Sequence, residues 1–499
     1  MKALSIAQVR DCERALTGGD PATGYRLMRS AGTLAARVLA ASAKNFRRLV
    51  FLVGPGNNGG DALTAAAALF GQIPLTTYAV RPLTELTGEA ALAASALPEA
   101  LRRQVRENFS AGELWPGDLV VDGLLGIGAD CRQLREPVRS WISEVNASRL
   151  PVVSLDVPSG LDADSGQVPD IAVIAQYTLM FGWVKRGLLA AQAAPYTGIL
   201  RLLPLPELPV ETATEYPQIY TQREAAQDCP NEPGNWHKNQ KPRVLIISGS
   251  TKYPGASGLN VYGALRSGAG LVRLITSGTP MQLPNAAIVR KVPAGADGLP
   301  LDLAAAADFL SASQVLVCGS GWGAPFPEGL RKIWDFPGVL LLDADALNTL
   351  SAHPDCWRPR RNLVLTPHHQ EAVRLSRAFQ VECDSDRVAW AKKLAARLGA
   401  VVVLKGPRTV VAAPDGEVWL NTSGSVRLAI AGSGDVLSGV LGTCAGREGN
   451  SLARRCAFGV WWHGLAGEWL DSGGIADDLP GELSRVWNTL RRSEPLALN

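Results

Sequence analysis

Apolar runs of strand length, separated by helical patterns, recur along the whole chain and predict two α/β domains. In the first half, such runs lie at residues 49–53, 119–121 and 152–155, and each ends in polar residues and glycines. In the second half, the runs recur at regular spacing and lie at 244–247, 315–318, 339–342, 363–365 and 401–404. Strands that alternate with helices are typical of largely parallel sheets.

The boundary between the two halves is marked by prolines at positions 204, 206, 209 and 217, with little periodic pattern between them. A chain of 499 residues also exceeds what one hydrophobic core usually supports. We therefore predict a first domain at 1–212, a linker at 213–235 and a second domain at 236–499.

The composition argues against several classes of partner. The net charge of +3 gives no general attraction to nucleic acid or anionic membranes, and no apolar run is long enough to span a bilayer. The N-terminus lacks the apolar core of a signal peptide. Eight isolated cysteines indicate reduced thiols rather than a disulfide framework or a zinc site. We expect a cytoplasmic homo-oligomer that binds small molecules.

The turn at residues 54–61 is the first candidate site, because it is rich in glycine and precedes a helix predicted at 62–70. Glycine lets backbone N–H groups and a helix N-terminus approach a phosphate. The side-chain oxygens of Asn57, Asn58 and Asp61 suit a cation or a sugar hydroxyl. The turn has neither the spacing of a Rossmann fingerprint nor the lysine of a P-loop. The alternative interpretation is a plain strand-to-helix connection.

Polar residues follow three strands of the first half, and in an open parallel sheet such strand ends line one crevice. Asn58, Asp122 and Ser159 offer only oxygen ligands, which suits a hard monovalent or divalent cation. Asp156 could bond a ribose hydroxyl or exchange a proton. The glycines at 126–128 could turn N–H groups toward a second phosphate. One acidic strand end is more often a helix cap, but three together favour a site.

The first half resembles the NAD(P)HX epimerase family, also called the YjeF N-terminal domain. The resemblance is dense across residues 49–166, where Asp-Val-Pro-Ser-Gly-Leu-Asp at 156–162 is a specific signature, and it departs at Ala62, where relatives usually have glycine. It implies a Rossmann-like doubly wound domain that binds K⁺ through Asn58, Asp122 and Ser159, with Asp156 as a catalytic residue. The implied contacts to hydrated NADH or NADPH are Asn57, Asn58, Gly59, Gly60, Asp61, Gly126, Ile127, Gly128, Ala129, Asp130, Cys131, Arg132 and Asp156.

The second half has its focus at residues 431–439, where small residues lead directly into a predicted helix and again suit an anion. Asp435 lies in the first turn of that helix, where a carboxylate could act as a base toward a hydroxyl. The alternative interpretation is a helix-capping aspartate placed favourably in the helix dipole. The Gly-x-Gly-Asp pattern is shared by ribokinase-like enzymes, so it supports the fold more than the reaction.

Further runs resemble the ADP-dependent NAD(P)H-hydrate dehydratase family, which has a ribokinase-like fold; they lie at 319–323, 343–348, 366–371, 405–409 and 462–467. The resemblance implies that the hydrated nucleotide is contacted by Ala256, Gly323, His368 and Asp435, the last of these catalytic. The implied contacts to the adenine nucleotide are Lys405, Gly406, Pro407, Arg408, Thr409 and Gly434. His463 receives no catalytic role.

The second half departs from the family pattern in loops that should touch nucleotide. The departures are His369, Gln370, Arg408, residues 425–427, Ile430 and Ala431. Arg408 could supply charge to a phosphate, or it could block the approach of the nucleotide.

The two resemblances together imply an enzyme that repairs hydrated NADH and NADPH. The N-terminal domain would interconvert the R and S epimers of the C6 hydrate. The C-terminal domain would transfer phosphate from ADP, accompanied by Mg²⁺, to the C6 hydroxyl and eliminate it, leaving AMP and phosphate. ADP should serve better than ATP. Two alternatives stay open: a ribokinase-like small-molecule kinase, or one half that serves as a nucleotide-binding module.

Overall fold

A six-stranded parallel sheet forms the centre of the first unit, and its strands lie in the order β3 (Leu75–Ala79), β2 (Arg48–Val53), β4 (Asp118–Gly123), β5 (Val152–Leu155), β6 (Tyr177–Phe181) and β8 (Ile199–Leu203). Alternate residues of strand β2 point to opposite faces of the sheet. Leu49 therefore enters one apolar core, shared with helices α2 (Pro21–Ser42) and α3 (Asn57–Leu69), and Val50 enters another, shared with α6 (Val138–Ser148). Burial on both faces explains why the strands are continuously apolar. The computed structural model describes residues 3–208, 217–230, 237–280, 282–295 and 307–492, which divide into two units between residues 216 and 217.

The strands of the first unit are β1 (Ala3–Leu4), β2 (Arg48–Val53), β3 (Leu75–Ala79), β4 (Asp118–Gly123), β5 (Val152–Leu155), β6 (Tyr177–Phe181), β7 (Val184–Lys185) and β8 (Ile199–Leu203). Its helices are α1 (Ile6–Thr17), α2 (Pro21–Ser42), α3 (Asn57–Leu69), α4 (Gly88–Ser95), α5 (Glu99–Arg102), α6 (Val138–Ser148) and α7 (Ala194–Thr197). Strands β1 and β7 pair in a separate two-stranded parallel sheet.

The second unit contains a ten-stranded sheet in the order β12-β11-β10-β13-β14-β15-β16-β17-β18-β9. All neighbours are parallel except β17, which is antiparallel to both β16 and β18. Its strands are β9 (Gln218–Tyr220), β10 (Arg243–Ile247), β11 (Leu271–Thr276), β12 (Ile288–Lys291), β13 (Val315–Cys318), β14 (Val339–Leu342), β15 (Leu363–Leu365), β16 (Val401–Leu404), β17 (Val410–Ala412) and β18 (Val418–Asn421).

The helices of the second unit connect and cover these strands. They are α8 (Gln222–Asp228), α9 (Gly255–Arg266), α10 (Ala307–Ser311), α11 (Pro327–Ile333), α12 (Ala344–Ala352), α13 (His369–Ala378), α14 (Arg387–Leu398), α15 (Ser433–Ala445), α16 (Leu452–Trp469) and α17 (Leu479–Arg492). The predicted fold class, a Rossmann-like doubly wound domain followed by a ribokinase-like α/β domain, is confirmed. Among the described residues, no helix is both long and apolar enough to cross a membrane.

Part of the predicted linker at 213–235 is an ordered portion of the second unit, which corrects the sequence-based boundary. Strand β9 pairs with β18, and α8 follows it with a capping box formed by Thr221 and Glu224. Asp228 at the end of α8 accepts hydrogen bonds from Tyr220 (2.7 Å) and from Arg454 of α16 (2.8 Å). These long-range contacts outweigh the proline signal on which the prediction rested. Residues 213–216 and 231–235 lie outside the described residues.

Helix α3 begins at Asn57 rather than at the predicted residue 62, because the glycine-rich turn is itself helical. Gly60 already donates a backbone hydrogen bond to the carbonyl of Gly56 at 3.1 Å. Gly59 and Gly60 are poor helix formers by propensity, and the close packing around them outweighs that preference.

Candidate active sites

The backbone around the N-terminus of α3 is packed too closely for side chains. Gly54 donates its N–H to the carbonyl of Gly123 at 3.0 Å, and a Cβ atom on Gly54 would lie 1.6 Å from the carbonyl oxygen of Leu124. A Cβ atom on Gly59 would lie 2.0 Å from the carbonyl oxygen of Gly54. The N-cap residue Gly56 has no side chain to accept hydrogen bonds, so the first N–H groups of α3 can receive an anion.

The three predicted cation ligands come together around one residue, Leu125. Asn58 Nδ2 donates to the Leu125 carbonyl at 2.7 Å, and the Leu125 N–H donates to Ser159 Oγ at 2.8 Å. Ser159 Oγ in turn donates to Asp122 Oδ1 at 2.5 Å. The strand ends of β4 and β5 and the first turn of α3 therefore converge, as the parallel topology predicts.

The charge and the hydrogen bonds of this cluster fit a hard cation. Asp122 is fully buried, and burial raises its pKa although hydrogen bonds from Ser159, Ser154 and the Leu124 backbone act to lower it. Asn58 Oδ1 is buried and has no hydrogen-bond partner within the described part of the chain. A buried carboxylate beside an unpaired amide oxygen is costly alone and suits an ion such as K⁺.

Asp156 forms a buried ion pair with Lys185, a residue that the sequence analysis did not select. Lys185 Nζ contacts Asp156 Oδ1 and also donates to the Phe181 carbonyl at 2.9 Å, while the Phe181 N–H donates to Asp156 Oδ1 at 3.1 Å. Asp156 has a positive φ of 62°, a strained conformation for a residue with a side chain. Strain of this kind clusters at functional sites.

Asp61 faces the same ion pair from the first turns of α3. Burial and the negative charge of Asp156 raise its pKa well above the usual range, while Lys185 acts in the opposite direction. The two carboxyl groups of this cleft have different surroundings, because Asp156 has a lysine partner, whereas Asp61 is desolvated and its pKa is raised. Such a pair can supply an acid and a base at one pH.

The predicted substrate loop at residues 126–132 meets the cation cluster at its first glycine. A Cβ atom on Gly126 would lie 3.2 Å from the Cβ of Asn58. Further along, Cys131 is buried, and burial raises its pKa to about 11, so the thiol is neutral at pH 7. Arg132 is exposed and pairs with Asp130 at 3.1 Å, and Asn57 is also exposed. The two ends of the loop therefore differ, with only the first packed against Asn58.

In the second unit, Lys405 and Asp343 form the central ion pair. Lys405 Nζ lies 2.7 Å from Asp343 Oδ1, where Lys405 follows β16 and Asp343 follows β14, the two strands that flank β15. Asp343 also accepts hydrogen bonds from Thr366 (2.7 Å) and from Ser438 of α15 (2.6 Å). Burial raises the pKa of Asp343, but Lys405 and these hydrogen bonds outweigh it, so the pKa lies below the usual value.

Asp435 lies beside this ion pair in the first turn of α15. Burial, and then the negative charge of Asp343, raise the pKa of Asp435 to about 7, against the opposing effects of Ser320 and Lys405. A Cβ atom on Gly434 would lie 3.7 Å from Lys405 Nζ, so the ammonium group adjoins the helix N-terminus. The N-cap residue Gly432 makes no side-chain cap. A carboxylate that titrates near neutrality thus adjoins an anion site.

His463 of α16 contacts the first residue of α15 through its ring. Burial lowers its pKa to about 4, so the ring is neutral at pH 7. Its Nε2 lies 3.0 Å from the Ser433 carbonyl oxygen, which can only accept, so Nε2 is the donor.

The other predicted contacts to the hydrated nucleotide line the same strand ends. His368 caps α13 by accepting from the Gln370 N–H at 3.1 Å, and its side chain is half-exposed. The Gly323 N–H donates to Asp345 Oδ2 at 2.7 Å. Ala256 packs close to Gly321, on which a Cβ atom would lie 2.6 Å from the Cβ of Ala256.

The loop from Lys405 to Thr409 presents its backbone and not the side chain of Arg408. Gly406 and Arg408 both have positive φ, and Thr409 Oγ1 donates to the Gly406 carbonyl at 2.9 Å, while Pro407 is exposed. The Arg408 side chain is buried, with Nη1 3.4 Å from the Thr422 carbonyl oxygen, and burial lowers its pKa to about 10 against the effect of Glu468. Arg408 therefore reaches inward, so neither predicted role for its guanidinium has geometric support.

Two other substituted segments also make internal contacts. The ring of His369 packs edge-on against Trp390 with 5.3 Å between centroids. Arg427 Nη1 donates to the carbonyls of Glu468 (2.8 Å) and Leu470 (2.6 Å) at the end of α16.

Sequence reasoning missed the roles of Lys185 and Asp343 for different reasons. Asp343 is the first polar residue after β14, the same signal that selected Asp122, and it could have been selected in the same way. Lys185 ends the two-residue strand β7, and its burial against Asp156 depends on a contact distant in sequence.

The fold and the two sites define a two-domain α/β enzyme for phosphate-bearing small molecules. The family described as "YjeF-related protein N-terminus" matches residues 24–187, and the family described as "NAD(P)H-hydrate dehydratase" matches residues 244–487. The chain belongs to the family of bifunctional NAD(P)H-hydrate repair enzymes, as the sequence predicted.

Relatives of the whole chain support this assignment. The bifunctional NAD(P)H-hydrate repair enzyme Nnr of Escherichia coli is 35% identical over 485 residues, which cover 93% of this chain and 90% of the relative. The enzyme of the same name from Gloeobacter violaceus is 36% identical, with 94% and 93% covered. A solved structure of the ADP/ATP-dependent NAD(P)H-hydrate dehydratase from Bacillus subtilis, co-crystallised with ATP and Mg²⁺, is 27% identical, covers 55% of this chain and 98% of its own, and has a TM-score of 0.44.

Replacing Arg408 with alanine tests whether its side chain is structural. The change removes a buried guanidinium and its favourable charge interaction with Glu468, so the second unit should lose about 3–5 kcal/mol of stability. A thermal melt of the variant checks this. A side chain that served only the nucleotide would instead raise the KM for ADP and leave the melting temperature unchanged. Substitution of the exposed Arg374 on α13 is the matched control, with no stability change expected.

Proposed function

We propose that the first unit interconverts the R and S epimers of hydrated NADH and NADPH. The open N-terminus of α3 suits the substrate phosphates. Asn58, Asp122 and Ser159 would hold K⁺, and the unpaired Asn58 Oδ1 is the observation that supports the ion. A bound K⁺ would supply positive charge that fixes the substrate phosphates and the strand ends.

The carboxyl groups near Lys185 would transfer the protons during epimerisation. The hydroxyl at C6 sits on a carbon bonded to the ring nitrogen, so it can leave as water when protonated and return to the other face. Asp61, with its raised pKa, can protonate the departing hydroxyl. Asp156, held by Lys185, can take the proton from the returning water. Asp61 thus gives up one proton and Asp156 takes up one, so the number of protons in the cleft is unchanged.

The second unit dehydrates the S epimer at the expense of ADP. Asp435 accepts the proton of the C6 hydroxyl while the oxygen of that hydroxyl attacks the β-phosphorus of ADP. The bond between the β-phosphorus and AMP breaks, and AMP leaves. The C6–O bond then breaks, and phosphate leaves with the electron pair of that bond. A proton of the neighbouring carbon passes to solvent, and the new double bond completes NAD(P)H. Lys405 and the N-terminus of α15 stabilise the transferred phosphate, and Mg²⁺ arrives with ADP. The position of Asp435 between these groups is the observation that carries the proposal.

Product stoichiometry on purified hydrated NADH separates this reaction from its alternatives. The proposal requires NADH, AMP and phosphate in equal amounts, with ADP more effective than ATP. A stable phosphorylated product would instead indicate a small-molecule kinase. Nucleotide binding without turnover by one unit would indicate a binding module.

Epimerisation should depend on K⁺. Rates measured in potassium and in tetramethylammonium buffers should differ by at least tenfold, and Asp122→Ala should remove the difference, because it deletes the only charged member of the ligand set. Ser154→Ala is the matched control, since Ser154 also donates to Asp122 (2.7 Å) but is not a ligand. Stabilisation of the wild type by K⁺ in thermal melts gives a readout independent of activity. Equal rates in both buffers would count against the ion.

Asp435→Asn should stop dehydration and leave epimerisation intact. Asparagine keeps the size and capping ability of aspartate but lacks its basicity, so turnover should fall at least about 100-fold. In the wild type, turnover should rise with pH through about 7, because only the ionised carboxylate can accept a proton. Both activities and the melting temperature are measured on one preparation. Dehydration that survives within about tenfold would exclude Asp435 as the base.

A further inference from the structure

Asn260 is a polar residue in the middle of α9 whose position is unfavourable for stability alone. Its side chain is fully buried, and its Oδ1 has no hydrogen-bond partner among the described residues. Burying an unpaired amide oxygen destabilises a protein. Its Nδ2, in contrast, makes two contacts, to the carbonyl oxygen of Asp435 at 2.8 Å and to Ser320 Oγ at 3.2 Å. Both contacts lead to the proposed base.

Glycines bring α9 and α15 close enough for this contact. A Cβ atom on Gly263 of α9 would lie 2.3 Å from the Val436 carbonyl oxygen. A Cβ atom on Gly439 of α15 would lie 2.1 Å from the Asn260 carbonyl oxygen. The two backbones therefore touch directly, and the short side chain of Asn260 reaches the first turn of α15 without a gap.

Ser320 extends the contact to the carboxylate of Asp435. It follows β13 between Gly319 and Gly321 and is buried. Its hydroxyl interacts with the Asp435 side chain as a hydrogen-bond donor. A hydroxyl has one proton, and because Asn260 donates to Ser320 Oγ, that proton is free to point at Asp435. Asn260 thus orients Ser320 as well as the Asp435 backbone.

We propose that Asn260 and Ser320 act as positioning residues that hold the Asp435 carboxylate ionised and aimed at the substrate hydroxyl. The inference rests on the proposed role of Asp435 as the base. It adds Asn260 of α9 and Ser320 of the loop after β13 to the residues that act in dehydration.

The charges around Asp435 explain why such a pair is needed. Asp343 at the end of β14 and Asp345 on α12 both disfavour a second negative charge, as does burial. Lys405 at the end of β16 favours the charge but is already paired with Asp343 at 2.7 Å and lies 3.9 Å from Glu371 of α13. His463 of α16 is neutral. The Ser320 hydroxyl is a neutral group that stabilises the ionised form of Asp435 by a hydrogen bond.

The pH profile of dehydration in the full-length protein tests the proposal. Ser320→Ala should move the acid limb of the profile upward by about one pH unit, since a hydrogen bond to the charged form is lost. Ser320→Cys, a weaker donor, should give a smaller shift. Asn260→Ala should shift the limb in the same direction and lower kcat about tenfold or more. The KM for ADP should stay unchanged in all three.

Ser257→Ala is the matched control. Ser257 lies one turn before Asn260 on α9, is fully buried and donates to the Ser248 carbonyl at 3.0 Å. Its loss should leave the acid limb in place. Epimerase activity of each preparation and its melting temperature report on folding, and if Asn260→Ala fails to fold, the two Ser320 variants decide.

Two outcomes would overturn the inference in distinguishable ways. If Asp435→Asn abolishes dehydration but the Ser320 variants lower the rate without moving the acid limb, the positioning role is wrong and the proposed function stands. If Asp435→Asn remains active, the proposed function fails and this inference fails with it.

Discussion

The contact between Lys405 and Asp343 places a full positive and a full negative charge, 2.7 Å apart, in the buried interior of the second unit. Neither could stay there alone, since removal of one partner of such a pair costs about 3–5 kcal/mol. Asp343 is further tied to α15 through Ser438. The pair therefore fixes three strand ends and a helix N-terminus in one arrangement, and the chemistry of Asp435 depends on it.

The first unit also buries carboxyl groups, but different residues surround them. Lys185 forms an ion pair with Asp156, whereas Asp61 faces the same cleft with a pKa that burial raises. The third carboxylate, Asp122, is buried among hydroxyl and backbone donors beside an unpaired amide oxygen. In each case the surroundings of a carboxyl group, and not its identity, determine whether it is suited to act as an acid, a base or a cation ligand.

In both sites, glycines leave helix N-termini open to anions, and they also allow backbone segments to approach one another closely. Gly54 and Gly59 allow the turn after β2 to meet the segment after β4 and the first turn of α3 backbone to backbone, and Gly263 and Gly439 do the same for α9 and α15. Close approach brings short side chains such as Asn58 and Asn260 within hydrogen-bonding distance of groups far away in sequence. Short side chains have few rotamers, so their polar atoms are held with little loss of entropy.

The sequence by itself determined the features that depend on local order. Apolar runs and glycine-rich turns were enough to predict two α/β domains, and the parallel topology then predicted that Asn58, Asp122 and Ser159 would converge. The family followed from motifs such as residues 156–162. The tertiary structure alone decided the features that depend on distant contacts: the inward direction of Arg408, the partner of Asp156, the order in β9 and α8, and the unpaired oxygen of Asn260. The reason is physical, since burial and charge pairing are set by neighbours in space, which a pattern along the chain does not record.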